Sequence, residues 1–182
     1  MVMTDRTQVA GSRLDPRAVL AALDEVADPE IPAVSIVELG MIQGIDVLPD
    51  SIEVELLPTF VGCPALEVIR EAVEARLASF DRPATVRISF ATPWTTDRIS
   101  PTGREKLRGA GFAPPPHLAA LAAHPSRALP MAGVLAGDAA PVECPYCGST
   151  RTTLENLFGP TQCRSIRHCA ACRQPFEAFK PI

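Results

Sequence analysis

The chain has 182 residues, 47% of them hydrophobic and 5% aromatic, with a net charge of −4 and a pI of about 5.4. That length and hydrophobicity hold one large domain or two small ones and exclude wholesale disorder. The acidic balance lacks the basic footprint of a nucleic-acid binder, and no run of about 18 apolar residues is available to span a membrane. Residues 1–11 are polar and do not resemble a secretory signal. The cytoplasm is therefore the expected compartment, with neither nucleic acid nor membrane expected as a partner. There the 6 cysteines are expected as metal ligands or reactive thiols rather than disulfides. Charge is uneven: residues 1–112 carry 11 basic and 17 acidic groups, net −6, and residues 143–182 carry five basic and three acidic, net +2. This gives the tail a weak bias toward an acidic partner.

In chain order, Asp15 and Pro16 read as the N-cap and first position of a helix. Val19, Leu20, Leu23 and Val26 recur along it at helical spacing, and Asp28-Pro29 stops it. Residues 41–48 form a first strand, Pro49-Asp50 a turn, and Ile52, Val54 and Leu56 alternate with Glu53 and Glu55 as in a half-buried strand. A loop over 58–63 leads to a second helix that starts at Pro64 and buries Leu66, Ile69, Val73, Leu77 and Phe80. Val86, Ile88 and Phe90 make a third strand. Ser100-Pro101 opens a last short helix that runs to Leu107, with Gly109 or Gly111 ending it. The order α-β-β-α-β, over residues 14–111, predicts an α+β class domain with helices packed on one small sheet. Residues 112–141, with six prolines and ten alanines between 113 and 141, read as a semi-rigid linker with room for a short helix over 118–123. Residues 142–182 form the second domain.

That second domain carries Cys144-x-x-Cys147 and Cys169-x-x-Cys172, with 21 residues between the two pairs. Each pair sets two thiolates on one tight turn, and two such turns close a tetrahedral four-sulfur site. Pro145 and Gly148 suit the first turn, and residues 151–157 and 176–179 can supply short strands. Four thiolates with no open position favour structural zinc; they also suit iron or an iron–sulfur cluster. A ribbon with so few apolar residues depends on its ion to fold. Cys163 is an additional thiol in the ribbon, either a small structural residue or an auxiliary ligand in metal exchange. Arg164 and Arg167 would lower its pKa if they point toward it. His168, beside Cys169, is a weak substitute ligand.

In the first domain, Cys63 directly precedes the second helix. The helix dipole and free N–H groups there favour the thiolate. The residues alone leave two readings, a buried structural cysteine and a functional one. Asp28 and Glu30 flank Pro29: they are turn and cap residues, or carboxylates able to join Cys63 in a mixed site if the loops meet. Trp94, Asp97 and Arg98 are a partner hot spot if exposed and a packed domain edge if not.

Residues 28–32 (DPEIP), 35–42 (SIVELGMI) and Thr59-x-x-Gly62-Cys63-Pro64 resemble the iron–sulfur assembly domain family. Its members include a bacterial SUF-pathway component and a eukaryotic cytosolic cluster-targeting factor. Residues 94–107, the Pro114–Pro116 run, CPYCGS, FGPTQCRS and CRQPFEAFK are similar to the PaaD family of the phenylacetate-degradation system, which pairs such a domain with a zinc ribbon. The resemblance implies an accessory or maturation role with the multicomponent phenylacetyl-CoA 1,2-epoxidase, assisting assembly of its iron or iron–sulfur centres. Partners would be the other epoxidase subunits or iron–sulfur assembly proteins. It also implies Cys63 as the assembly-domain ligand, Asp28 and Glu30 shaping its loop, and Cys144, Cys147, Cys169 and Cys172 holding the ribbon ion. The chain has no phosphate loop, no di-iron Glu-x-x-His pair and no dinucleotide fingerprint, so it is not expected to be catalytic itself. The alternatives are a stoichiometric structural subunit of the oxygenase and a rubredoxin-like electron carrier.

Overall fold

The protein is represented by a computed structural model that describes residues 14–117 and 142–181. The stretch expected as a helix over 118–123, and most of the expected linker, lie outside the described residues.

Helix α1 spans Pro16–Leu23, with proline in its first turn and Asp15 as the cap, whose Oδ1 accepts from the Arg17 N–H at 2.9 Å. Val19 and Leu23 are sealed in the core, and Val26 joins them from the loop beyond the helix. The helix ends early because Asp24 takes the C-cap position and its carboxylate accepts the Ser35 hydroxyl from the next loop. Strands β1 (Ile42–Val47) and β2 (Ile52–Leu56) form an antiparallel hairpin. In β2, Ile52, Val54 and Leu56 are buried and the intervening glutamates are half-exposed, as the alternation predicts.

Helix α2 spans Leu66–Leu77, starting after Pro64 rather than at it, and buries Ile69, Val73 and Leu77. Leu66 and Phe80 are only half-buried. The helix crosses over to β3 (Ala84–Ile88), which runs parallel to β2, so the sheet order is β1-β2-β3. A parallel neighbour needs such a crossover. Phe90, expected inside β3, lies beyond it and is 57% exposed, because β3 is a sheet edge with no further strand to cover it. Helices α1 and α2 pack on each other, α1 also against β1 and α2 against β3. Arg76 of α2 donates to the Ala22 carbonyl at 3.2 Å and pairs with Glu25 at 3.0 Å.

Residues 35–38 form a reciprocal capping box: Ser35 Oγ accepts the Glu38 N–H and Glu38 Oε2 accepts the Ser35 N–H, each at 3.0 Å. Buried Glu38 also pairs with Lys106 of α3 (Pro101–Gly109) at 2.6 Å. Gly40, at φ +68°, ends this turn, and a Cβ there would lie 2.6 Å from the Arg98 Cβ. Of the candidate hot-spot residues, Trp94 is buried, Arg98 half-buried and Asp97 exposed. Trp94 is 4% exposed and donates Nε1–H to the Leu39 carbonyl at 2.9 Å. Arg98 donates to the carbonyls of Gly40 and Ile42 at 2.9 and 3.2 Å, and Asp97 faces His117 at 3.1 Å. Burial of Trp94 and these carbonyl bonds tie both side chains to the 39–42 segment.

Beyond α3, Phe112–Ala113 form β4, which pairs in parallel with β7 (Pro175–Phe179). Strands β5 (Thr152–Asn156), β6 (Arg164–Cys169) and β7 are antiparallel, and the second sheet runs β4-β7-β6-β5. Residues 112–113, read from sequence as the start of the linker, are thus a strand of the ribbon sheet. The ribbon's own buried cluster is only Ala113, Cys144, Cys169, Phe176 and Ala178. Too small to stand alone, the ribbon inserts Phe179 into the first domain's core, with Phe112 and Cys163 packed against that core. The result is an α+β fold in which the two units share apolar contacts.

Candidate functional site

The four-cysteine group is built by two matching turns. In the first, Gly148 N–H donates to the Cys144 carbonyl at 2.9 Å, and Gly148 takes φ +72°. In the second, Arg173 N–H donates to the Cys169 carbonyl at 2.8 Å, and Arg173 takes φ +60°. The sulfur atoms of Cys144, Cys147, Cys169 and Cys172 all lie within 4.8 Å of one another. Cys144 Sγ is 3.7 Å from Cys172 Sγ, and Cys147 Sγ is 3.6 Å from Cys169 Sγ. A zinc–sulfur bond of about 2.3 Å in a tetrahedron sets sulfur–sulfur edges of about 3.8 Å, so the donor set fits one such ion. The thiols are already unequal: N–H groups of Cys172 and Ala171 draw Cys169 down to about 6, whereas burial and crowding by the other thiols push Cys172 up to about 12. A bound cation removes this conflict by taking all four as thiolates. His168 stands on β6 opposite Thr153 and Pro175, outside the quartet.

The second feature is a cavity of about 330 Å³ at the junction of the two units. Three segments meet there: the Asp28–Glu30 turn, the loop of Thr59 and Cys63, and the ribbon turn ending at Cys163. The loops that sequence alone could not bring together therefore do meet. Asp28 Oδ1 accepts the N–H groups of Glu30 and Ile31 at 2.8 and 2.9 Å, the turn chemistry expected of it. Its pKa is raised, because burial outweighs those two donors and the charge of Arg164.

Cys63 is half-buried, and its pKa moves opposite to the direction the helix-dipole argument predicts. Burial pushes its pKa up; an N–H from Ala65 opposes this, but the charges of Glu30, Asp28 and Cys163 add to the rise. Helix α2 begins at Leu66, three residues beyond Cys63, while two carboxylates share the cavity with the thiol.

Arg164 does not turn to Cys163. Its side chain is 7% exposed and lies 2.8 Å from Glu177 and 3.6 Å from Glu30. It also donates to Thr161 Oγ1 at 2.8 Å and stacks over Phe112. It thereby joins β6, β7 and the first domain's 28–31 turn. Cys163 Sγ instead lies 3.2 Å from Thr161 Oγ1, its carbonyl accepts the Lys180 N–H at 3.0 Å, and the Lys180 ammonium is close enough to feel its charge. Glu177 and Lys180 escaped sequence reasoning, and Arg164 has a different role from the one considered for it, because no local pattern marks these contacts; they depend on how the ribbon docks. All 6 cysteines are free thiols.

A small α/β unit joined to a β ribbon that carries a four-thiol metal-binding group defines the class of protein. Known proteins share both halves. A family described as iron-sulfur cluster assembly protein matches residues 16–90, and one described as PaaD zinc beta ribbon domain matches residues 130–180. A relative from Escherichia coli (strain K12), named as a candidate subunit of 1,2-phenylacetyl-CoA epoxidase, is 36% identical over 90% of this chain and 92% of its own length. The chain belongs to the family of that epoxidase component, the PaaD family, whose ribbon it carries. An iron-sulfur cluster carrier protein of Mycobacterium tuberculosis (strain ATCC 25618 / H37Rv) is 38% identical over 50% of this chain but only 24% of that protein. A solved conserved hypothetical protein from Thermotoga maritima is 28% identical, covers 53% of this chain and 97% of that chain, and superposes with a TM-score of 0.47. Among the described residues no helix is long and apolar enough to cross a membrane.

Proposed function

We propose that the chain is an accessory protein of a phenylacetyl-CoA 1,2-epoxidase system that receives or delivers iron or an iron–sulfur cluster through Cys63. The supporting observation is the meeting of Cys63 with Asp28 and Glu30 in one cavity. Two carboxylates attract a cation to the thiol. Metal must displace the thiol proton, and the raised pKa weakens binding by that exchange. A transient carrier needs that weak hold. Zinc in the ribbon is the structural ion, held by Cys144, Cys147, Cys169 and Cys172. It orders the two turns and supplies no open coordination position. Clients are the metal centres of the other epoxidase subunits or of iron–sulfur assembly proteins, in the cytoplasm, where the free thiols persist. The chain itself carries out no catalytic step in this reading.

Anaerobic reconstitution with iron and sulfide tests this, with Cys63→Ala as the control. The wild type is expected to take up the cluster and support epoxidase activity, and the variant to do neither. Two colourless proteins that support the epoxidase equally would end the proposal.

A stoichiometric subunit is the second reading, favoured by the relative's description as a subunit. Co-purification with the oxygenase at fixed ratio, independent of Cys63, would select it. Iron rather than zinc in the four-sulfur site would make the ribbon a rubredoxin-like electron carrier, recognisable by a red colour that bleaches on reduction.

A further inference from the structure

The transfer reading uses one thiol, yet the cavity presents two. Cys63 comes from the first unit and Cys163 from the ribbon turn, and both line the same space. Both are half-buried and pack against the same core. Cys163 is held there by geometry independent of the four-sulfur site. Its carbonyl is fixed by the Lys180 N–H, its sulfur adjoins the Thr161 hydroxyl, and the next residue, Arg164, is clamped to Glu30 and Glu177. An apolar residue in its place would fill the packing role. A thiol facing a second thiol and two carboxylates is metal chemistry.

We propose that Cys163 is a second protein ligand of the Cys63 cavity, so that the cargo is held between the two units, and that the cargo is a binuclear iron–sulfur cluster rather than a single ion. The proposal rests on the transfer role of Cys63.

Two observations select the cluster. Among the described residues, only the ribbon quartet brings three or more ligand atoms within 4.8 Å, so the cavity is not a preformed cage for one ion. Two thiols, one from each unit, lining a space of about 330 Å³ suit a group with two iron atoms, each taking its own thiolates. The remaining positions belong to thiols from outside, from a small-molecule donor or a client. Loading is then ligand exchange without change of oxidation state. Each incoming Cys–SH forms an S–Fe bond, one outside thiolate leaves its iron, and the cysteine proton passes to that thiolate. Delivery is the reverse. Because one ligand sits on each unit, cargo binding requires the ribbon to be docked.

The test uses the full chain, reduced and zinc-loaded, reconstituted anaerobically with ferric iron, sulfide and glutathione. Wild type, Cys63→Ala, Cys163→Ala and Cys163→Ser are compared by visible absorption, bound iron and sulfide, and zinc content. The expected result is a cluster with two irons and two sulfides in the wild type, and loss of it in all three variants with zinc content and thermal unfolding unchanged. If both Cys163 variants bind the cluster as the wild type does while Cys63→Ala does not, Cys163 is no ligand and the transfer reading survives alone. If the wild type binds iron without sulfide, the cluster assignment is overturned. If the wild type binds neither, the transfer reading falls and this inference falls with it.

Discussion

Arg164→Met removes the buried guanidinium that joins the two units while keeping much of the apolar stem. The side chain is 7% exposed, 2.8 Å from Glu177 and 3.6 Å from Glu30, with a 2.8 Å bond to Thr161. Breaking a fully buried pair costs about 3–5 kcal/mol because a charge is left stranded. Here Glu30 and Glu177 each keep 26% of their side-chain exposure, so water can re-solvate them in part. We expect a loss of about 2–3 kcal/mol. Urea unfolding of the zinc-loaded protein, followed by fluorescence of the single tryptophan, measures it, because Trp94 sits in the core that Phe179 enters. A double-mutant cycle with Glu177→Gln should show that the two losses are not additive. The variant should also alkylate faster at Cys63, since loosening the ribbon opens the cavity. A change under about 0.5 kcal/mol, the range of ordinary surface substitutions, with unaltered alkylation would refute the idea that Arg164 clasps the units.

Three other perturbations follow from the same structure. Burial pushes the Glu38 carboxyl up, but Lys106 and the Ser35 N–H and hydroxyl outweigh it and hold its pKa below the ordinary 4.5. A depressed carboxylate stabilises the fold above its unfolded pKa and loses that contribution as pH falls through the folded value. Wild type and Glu38→Gln should therefore differ most at neutral pH, by about 2 kcal/mol for the charge-assisted bonds, and converge below pH 4.5; equal differences at both pH values would contradict this. Chelation of the ribbon ion should release protection of the β5–β7 amides in hydrogen exchange while the β1–β3 sheet stays protected, because the ribbon cluster is too small to persist alone. Retained protection in β5–β7 would show that the ion is dispensable. Arg173→Gly should leave metal content intact and be neutral or stabilising by up to about 1 kcal/mol, since it relieves a non-glycine residue at φ +60° where the matching turn uses Gly148; a marked loss of thermal stability would count against strain there.

What the sequence determined by itself was local. Asp15-Pro16 announces its helix because cap and first-turn chemistry act over a few residues, and Ile52, Val54 and Leu56 announce their strand because side chains alternate with period two. The Cys-x-x-Cys pairs announce a four-sulfur site because each turn is itself a short-range object. Resemblance added the pairing of the two units. Only the tertiary structure decided the rest. Whether Trp94 is a hot spot or a core residue depends on whether the fold buries it, and it does, with its indole N–H on the Leu39 carbonyl. Whether Cys63 is activated depends on where α2 starts and which carboxylates share its cavity. Whether Cys163 is a bystander depends on how the ribbon, lacking a core of its own, leans Phe179 into its neighbour and so carries a second thiol to the first. Periodicity and capping report what a segment does with its own neighbours. The contacts that set burial, charge and thiol pairing join residues distant in sequence, and no pattern within one segment encodes them.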